Sequence, residues 1–241
     1  MRDLALLTGH GRFERLTSHF EINADPPRVG TGTDLTPATA TSRMRQFVVV
    51  AHEVPLDPDF SLDDLASGAG RLDLLCRCLN AAFLTSHGIR EEVEAYLVVR
   101  DSATIRFPGE ELRHLHPDGR STAALVRNAL EARSGAVGHQ EVESSPGVSV
   151  SKRGLDDVLA ALDPAGPLVQ LHEDGTPVVD LAPPAEPTFV LSDHRNFTEA
   201  ESATIDEYAD ERISLGPERL HADHAIVVAH NYLDTAGYSR Y

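Results

Sequence analysis

Phe47–Ala51 reads FVVVA, five consecutive apolar residues of which three are β-branched. A strand with one face in water alternates apolar and polar positions, so an unbroken run of this kind belongs to a strand covered on both faces. The chain after it alternates between helical and extended patterns, as such a covered strand requires. Arg71–His87 (RLDLLCRCLNAAFLTSH) has helical spacing, with Leu72, Leu75, Leu79, Ala82 and Phe83 on one stripe and Gly88 as the C-cap. Val93–Val99 and Thr104–Phe107 read as strands, and Ser121–Ala132 as a helix after an Asp118-Gly119 turn. Leu155–Leu162 is a short helix stopped by Asp163-Pro164-Ala165-Gly166, followed by strands at Leu168–Leu171 and Thr188–Leu191. Thr198 caps a helix to Ala209, with Glu201 three residues on completing a capping box. Ile213–Leu215 and Ala225–Ala229 are the last expected strands. The expectation is a single α/β domain over residues 44–241, with a mainly parallel sheet and no internal repeat.

Residues 1–43 differ from this pattern. From Asn23 to Arg43 the chain is rich in Pro, Gly, Thr and Ala and carries few large apolar groups. Such a stretch buries too little surface to offset its ordering entropy. It is expected to be a disordered tail or a misannotated extension, with Met44 as the natural start.

Charge narrows the function classes. Acidic residues outnumber basic ones 38 to 21 in 241 residues, a formal net charge of -17. That balance argues against a membrane surface and, at ordinary salt, against loose electrostatic binding of nucleic acid. Lys152 is the only lysine, so the other 20 of the 21 cations are arginines. An acidic, lysine-poor surface suits a cell with molar internal salt, where screening shortens the Debye length to ~3 Å and an acidic chain can still bind RNA. No run approaches the ~20 apolar residues of a membrane span, and no signal-peptide core opens the chain, so a soluble cytoplasmic protein is expected.

Generic chemical motifs are sparse. Cys76 and Cys78 are two apart on a helix and point to different sides, which favours core packing over ligation. His221, His224 and His230, with His114 and His116, place only two ligands at suitable spacing, and no metal is expected. Gly68-Ala69-Gly70 lacks the third glycine and the strand-turn-helix context of a dinucleotide fingerprint. Neither a Gly-x-Ser-x-Gly elbow nor a Walker loop is present. More informative are three late segments that end strands in turns: Leu171–Gly175 (LHEDG), Phe189–His194 (FVLSDH) and Ile213–Pro217 (ISLGP). Ligands of open α/β sheets bind outside the carboxyl ends of strands, and small residues there admit close backbone approach.

These segments, with FVVVAHEVP (47–55), PDFSL (58–62), GAGRLDLLCRCLN (68–80), SHGIR (86–90) and SSPGVSVSKR (144–153), resemble the archaeal tRNA pseudouridine-54 N1-methyltransferases of the SPOUT superfamily. The resemblance runs from Met44 to about Asp234. It implies a SPOUT-type parallel sheet with a C-terminal trefoil knot, S-adenosylmethionine as cofactor, tRNA as substrate and a homodimer. By position it assigns cofactor contacts to Leu171, His172, Leu191, Ser192, Asp193, His194, Ile213, Ser214, Leu215, Gly216, Leu220 and Ala225. Ser192 stands where similar sequences usually carry Gly, and Ala225 where many carry Cys. Within the Arg71–His87 helix, Asp73 is the expected proton acceptor or base-orienting group, with Arg71, Arg77 and Arg90 toward the RNA. A SPOUT enzyme acting on rRNA pseudouridine and a non-catalytic RNA-binding relative are the competing readings.

Overall fold

The computed structural model describes residues 44–162 and 165–241, so the expectations for residues 1–43 and for the Asp163-Pro164 stop lie outside the described residues. The FVVVA run forms most of β1 (Arg45–Ala51), which sits inside an eight-stranded sheet. The other strands are β2 (Val93–Val99), β3 (Ala103–Pro108), β4 (Val142–Ser145), β5 (Val148–Ser151), β6 (Leu168–Pro177), β7 (Thr188–Ser192) and β8 (Glu211–Ser214). Their order across the sheet is β4-β5-β3-β2-β1-β7-β6-β8.

Both faces of β1 are covered. Phe47, Val49 and Ala51 join a cluster with residues of α1 (Leu72–Phe83), α2 (Gly119–Ala132) and α5 (Ala222–Asp234). Val48 and Val50 join a second cluster with Leu155, Val158 and Leu159 of α3 (Leu155–Ala161) and Ile205 of α4 (Glu199–Tyr208). Phe47 through Val50 are each at most 1% exposed, and full burial stabilises the fold by roughly 1.5–3 kcal/mol per such side chain. Cys76 and Cys78 are buried in the larger cluster, and burial pushes the Cys76 thiol up to about 12. The Thr198 capping box is present, its hydroxyl accepting from Glu201 N and Glu201 returning to Thr198 N.

The sheet is mixed, which corrects the expected mainly parallel arrangement. β1 runs parallel to β2 and β7, and β6 parallel to β7 and β8. The other edge is antiparallel through β2–β3, β3–β5 and β4–β5. Short turns dictate this. The connection after β2 is Arg100-Asp101-Ser102, too short for a crossover, and a hairpin is the only pairing it permits. Pro146-Gly147 joins β4 to β5 in the same way, with Gly147 at φ 73°.

Three further boundaries differ. α1 ends at Phe83 instead of His87, because Leu84 turns extended and pairs with Ile89 while Thr85 N and Oγ1 both donate to the Gly88 carbonyl. Ala225–Ala229 is helical, not a strand. Ala222, Ile226, Ala229 and His230 are buried while Val227 is 54% exposed, so a helical period overrides the β-branched Ile-Val-Val run. β6 continues past Leu171 to Pro177.

Candidate functional site

The parallel half of the sheet ends its strands at one rim, where three connections meet. The first is a bulge in β6. Leu171 and Thr176 both register with Ile213 of β8, so the residues between them loop out of the ladder. Gly175 lets the chain return: a Cβ there would lie 2.4 Å from the Ile213 carbonyl carbon. The second connection follows β7 from Ser192 to Phe197, and the third follows β8 from Leu215 to His221. Together they enclose a cleft of about 240 Å³.

All twelve residues assigned to cofactor contacts line this cleft. Leu171, Leu191, Ile213, Leu215, Leu220 and Ala225 supply apolar wall, joined by Ala222, which lies inside the expected stretch from Leu220 to Ala225, and by Phe197, which the sequence reading missed. His221 lines the cleft within the same stretch, and Glu173, Arg195, Asn196, Glu218 and Arg219 are further unassigned lining residues. Arg219 Nε donates to Glu173 at 3.0 Å and its Nη2 to Asn196 at 2.6 Å, which braces the β8 connection against the other two. Ser214 Oγ donates to the Gly216 carbonyl at 2.9 Å.

Two buried polar atoms in the lining make no hydrogen bond within the protein: Ser192 Oγ, and His194 Nδ1, which lies 3.5 Å from Asp193 Oδ2. His194 Nε2 is 3.0 Å from Glu53 Oε2. Both ring nitrogens of His194 therefore face carboxylates, Glu53 and Asp193. Buried polar atoms are ordinarily paired, so Ser192 Oγ marks where a ligand would complete the hydrogen bonding. A Cβ at Gly216 would meet nothing within 4 Å, so that backbone borders open space.

Behind the wall lies a cluster the sequence reading missed. His52, the first residue after β1, donates its backbone N–H to Asp193 Oδ2 at 2.9 Å. Its Nδ1 lies 2.8 Å from Asp193 Oδ1 and its Nε2 3.0 Å from Glu201 Oε2. The Asp193 hydrogen bond chiefly, and Glu201 beside it, raise the His52 pKa to about 9 against the opposing effect of burial. Burial works to raise the pKa of Asp193, but the bonds from His52 and the Arg195 N–H hold it below the usual carboxylate range. Adjacent Glu53 also pairs with Arg195. The available signal was the position of the polar pair His52-Glu53, directly after a buried strand at its carboxyl end.

Arg71, Asp73 and Arg77 come together, but outside the cleft lining. Arg71 adopts a left-handed conformation (φ 64°) at the N-cap of α1, and its Nε donates to Asp73 Oδ1 at 3.0 Å. Arg77 Nη1 donates to Asp73 Oδ2 at 2.8 Å, and Arg77 Nε to Asp223 Oδ2 at 2.9 Å. This chain of charges therefore reaches α5 one residue beyond Ala222 of the cleft wall. Burial opposes ionisation of Asp73, yet the two guanidiniums hold its pKa below the usual carboxylate range.

Arg90 is not brought to this group. It precedes β2, at the end of the sheet where β1 begins, and donates to Asp234 at 2.8 Å and Glu92 at 3.3 Å. Asp234 also accepts from Arg45, whose Nη1 lies 2.9 Å from His230 Nδ1. Burial, with the Arg90 and Arg45 charges, pushes His230 down to about 3, and its Nε2–H donates to the Ala82 carbonyl. Among the described residues, no three His, Cys, Asp or Glu side chains converge in a way that could hold a metal ion, and no helix is long and apolar enough to cross a membrane.

Comparisons with known proteins bear on this arrangement. The sequence profile of the SAM-dependent RNA methyltransferase family matches residues 44–238. A Haloferax volcanii protein named tRNA (pseudouridine(54)-N(1))-methyltransferase is 60% identical over 198 residues, 82% of this chain and 100% of that one. A protein of the same name from Natronomonas pharaonis is 61% identical over 199 residues, with the same coverage. One from Methanocella arvoryzae is 43% identical over 189 residues, 77% of this chain and 96% of that one. The fold is similar to that of Archaeoglobus fulgidus Nep1 bound to S-adenosylhomocysteine, with a TM-score of 0.56 and 14% identity over 79% of this chain and 97% of that one. The chain belongs to the SAM-dependent RNA methyltransferase family, in the group whose archaeal members are named tRNA (pseudouridine(54)-N(1))-methyltransferases.

Proposed function

We propose that this protein methylates N1 of pseudouridine 54 in the T-loop of tRNA, using S-adenosylmethionine held in the cleft at the carboxyl ends of β6, β7 and β8. The observation that carries the reading is the cleft itself: apolar walls interrupted by the unpaired, buried Ser192 hydroxyl, beside an open glycine backbone. That lining fits the group. A planar base and its ribose suit Leu171, Leu191, Ile213 and Leu215, while Ser192 Oγ meets a polar atom. When bound, S-adenosylmethionine supplies an electrophilic methyl group at its sulfonium.

The protein's own contribution is positioning and charge. Pseudouridine carries an N1–H that must leave as nitrogen attacks, so a fixed acceptor or orienting group is required, together with donors for charge on the base carbonyls. Asp73 is our candidate for that group, with Arg71 and Arg77 directed to phosphate. Both Asp73 oxygens already accept from guanidiniums, and a carboxylate so stabilised is a weak base. Steering the N1–H is therefore the better-supported role for Asp73 than removing its proton outright.

The return of β6 to β8 after its bulge, and of α5 onto α1 after the third cleft connection, support a knotted C-terminal part. Exposed Val227 on α5 and exposed Leu220 in the cleft lining support a homodimer that completes the site. A cytoplasmic location follows from the tRNA substrate. The test is methyl transfer to two T-arm stem-loops that differ only in pseudouridine or uridine at position 54, read by nucleoside mass spectrometry. N1-methylpseudouridine from the first alone is expected. Failure on that RNA, with transfer to an rRNA fragment, would move the substrate; failure on both would remove the activity.

A further inference from the structure

The connection from Ser192 to Phe197 forms one wall of the cleft, and a single side chain just after β1 reaches both its start and the cap of the helix that follows it. Asp193 lies between cleft residues Ser192 and His194, with its side chain 3% exposed. Its Oδ1 accepts from Arg195 N at 2.9 Å and faces His52 Nδ1 at 2.8 Å, while Oδ2 accepts from His52 N at 2.9 Å. At the far end, Glu201 Oε2 faces His52 Nε2 at 3.0 Å and also accepts from Thr198 N at 2.7 Å, in the cap of α4. We propose that His52 is a positioning residue: by gripping Asp193 and Glu201 at once, it holds the Ser192–Phe197 wall in the shape that receives S-adenosylmethionine. The inference rests on the reading of this cleft as the cofactor site.

The chemistry of the ring supports a grip that depends on charge. A neutral imidazole has one N–H, and one of its nitrogens would then present a lone pair to a carboxylate oxygen. Only the imidazolium donates to both acids, and a pKa raised to about 9 keeps it in that form at neutral pH. The charged groups facing the clasp are Asp193 from the end of β7 and Glu201 from α4. His194 also faces Asp193, its Nδ1 3.5 Å from Oδ2; next to them stand Glu53, paired with His194 and Arg195, and Arg71 at the N-cap of α1, whose charge is coupled to that of Asp193.

The sign is fixed by the direction of the shift. The folded pKa lies above the unfolded value near 6.5, so the clasp's contribution to stability is complete below about pH 6.5 and lost as pH rises through about 9. In the folded chain the ring stays charged until about 9, so ligand affinity holds over a range in which stability is already declining. The two properties therefore fall in different pH windows.

The experiment is titration of the full chain with S-adenosylhomocysteine, which lacks the alkali-labile sulfonium, from pH 7 to pH 10, for the wild type and His52→Gln. At pH 7 the variant should bind about tenfold or more weakly, because the amide is uncharged and both its N–H groups sit on one nitrogen, whereas the two acids face opposite nitrogens of the ring. The ratio of the two affinities should fall toward one above about pH 9, since the ligand's own amino group titrates equally in both measurements. A ratio that stays constant from pH 7 to pH 10, or equal binding at pH 7, would overturn the proposal. Should His52→Gln fail to fold, Glu201→Gln keeps the helix cap through its amide oxygen and removes one anion from the ring. Its affinity should then fall at a lower pH than the wild type's, and an unmoved profile would count against the clasp. No binding by the wild type at pH 7 would remove the cofactor reading, and this inference with it.

Discussion

Gly216→Val separates the architecture of the cleft from its ligand. A Cβ at this position meets nothing within 4 Å, and the backbone is not in the left-handed region. The substitution therefore costs the free protein no more than about 0.5 kcal/mol, the range for changes that touch nothing. The new side chain projects into a cleft of about 240 Å³. A ligand seated against this backbone would meet the added methyl groups. Overpacking costs of about 1–3 kcal/mol then appear in binding alone, a loss of roughly 5- to 150-fold in affinity. Calorimetric titration with S-adenosylmethionine, paired with a melting curve of each protein, measures both sides. Gly175→Ala is the contrasting control. Its Cβ would lie 2.4 Å from the Ile213 backbone, and it should lower Tm by roughly 2–12 °C through the same overpacking cost. A Gly216→Val protein with wild-type Tm and a Kd within twofold of wild type would refute the placement of the ligand.

Asp73→Asn should slow single-turnover methyl transfer by roughly 10²–10⁴-fold while leaving cofactor affinity near the wild type's. Because two guanidiniums depress the pKa of Asp73, the wild-type rate should lose its Asp73 contribution only as pH falls below the ordinary carboxylate range near ~4. Arg71→Ala should instead weaken tRNA binding and reduce the salt slope of affinity by about one unit, as measured by titration at several KCl concentrations. Melting temperature should rise from low to molar KCl as self-repulsion of the -17 chain is screened, and a steady fall would contradict that. Deleting residues 1–43 should leave activity and Tm unchanged, since the family match occupies 44–238; an insoluble or clearly destabilised product would show otherwise.

The elements legible in the sequence were those whose pattern has a single physical solution. FVVVA reads as a strand covered on both faces, and Thr198-x-x-Glu201, directly ahead of a helical run, closes a box that starts the helix. What escaped was decided by partners distant in the chain. Val142–Ser145 and Val148–Ser151 are too short and Ser-rich to announce strands; the second exists because β3 offers an edge to pair with, and the first because the second then offers another. Ala225–Ala229 has strand-like composition, yet packing of Ile226, Ala229 and His230 on the core makes it helical. The same holds for the site. Its loops were visible as strand-ending turns, whereas His52 gained its role from Asp193 and Glu201, more than a hundred residues later.

The predominance of arginine among the chain's cations, 20 of 21, gains a structural meaning at this rim. Arg71 is held by Asp73, Arg77 by Asp73 and Asp223, Arg195 by Glu53, and Arg219 by Glu173. Each pairing neutralises a cation that an RNA-binding surface would ordinarily leave free. In molar salt, however, a free cation attracts phosphate only within a Debye length of ~3 Å, so long-range attraction is worth little to it. What survives screening is the short, directional contact, and that rewards a guanidinium whose orientation is already set. A carboxylate that takes one or two of the five N–H donors fixes the plane of the group and leaves the others to face a phosphate or a base carbonyl. Lysine offers no such division, because its ammonium is a point charge on a flexible stem. An acidic surface with acid-braced arginines is thus a consistent way to recognise RNA where net charge no longer helps.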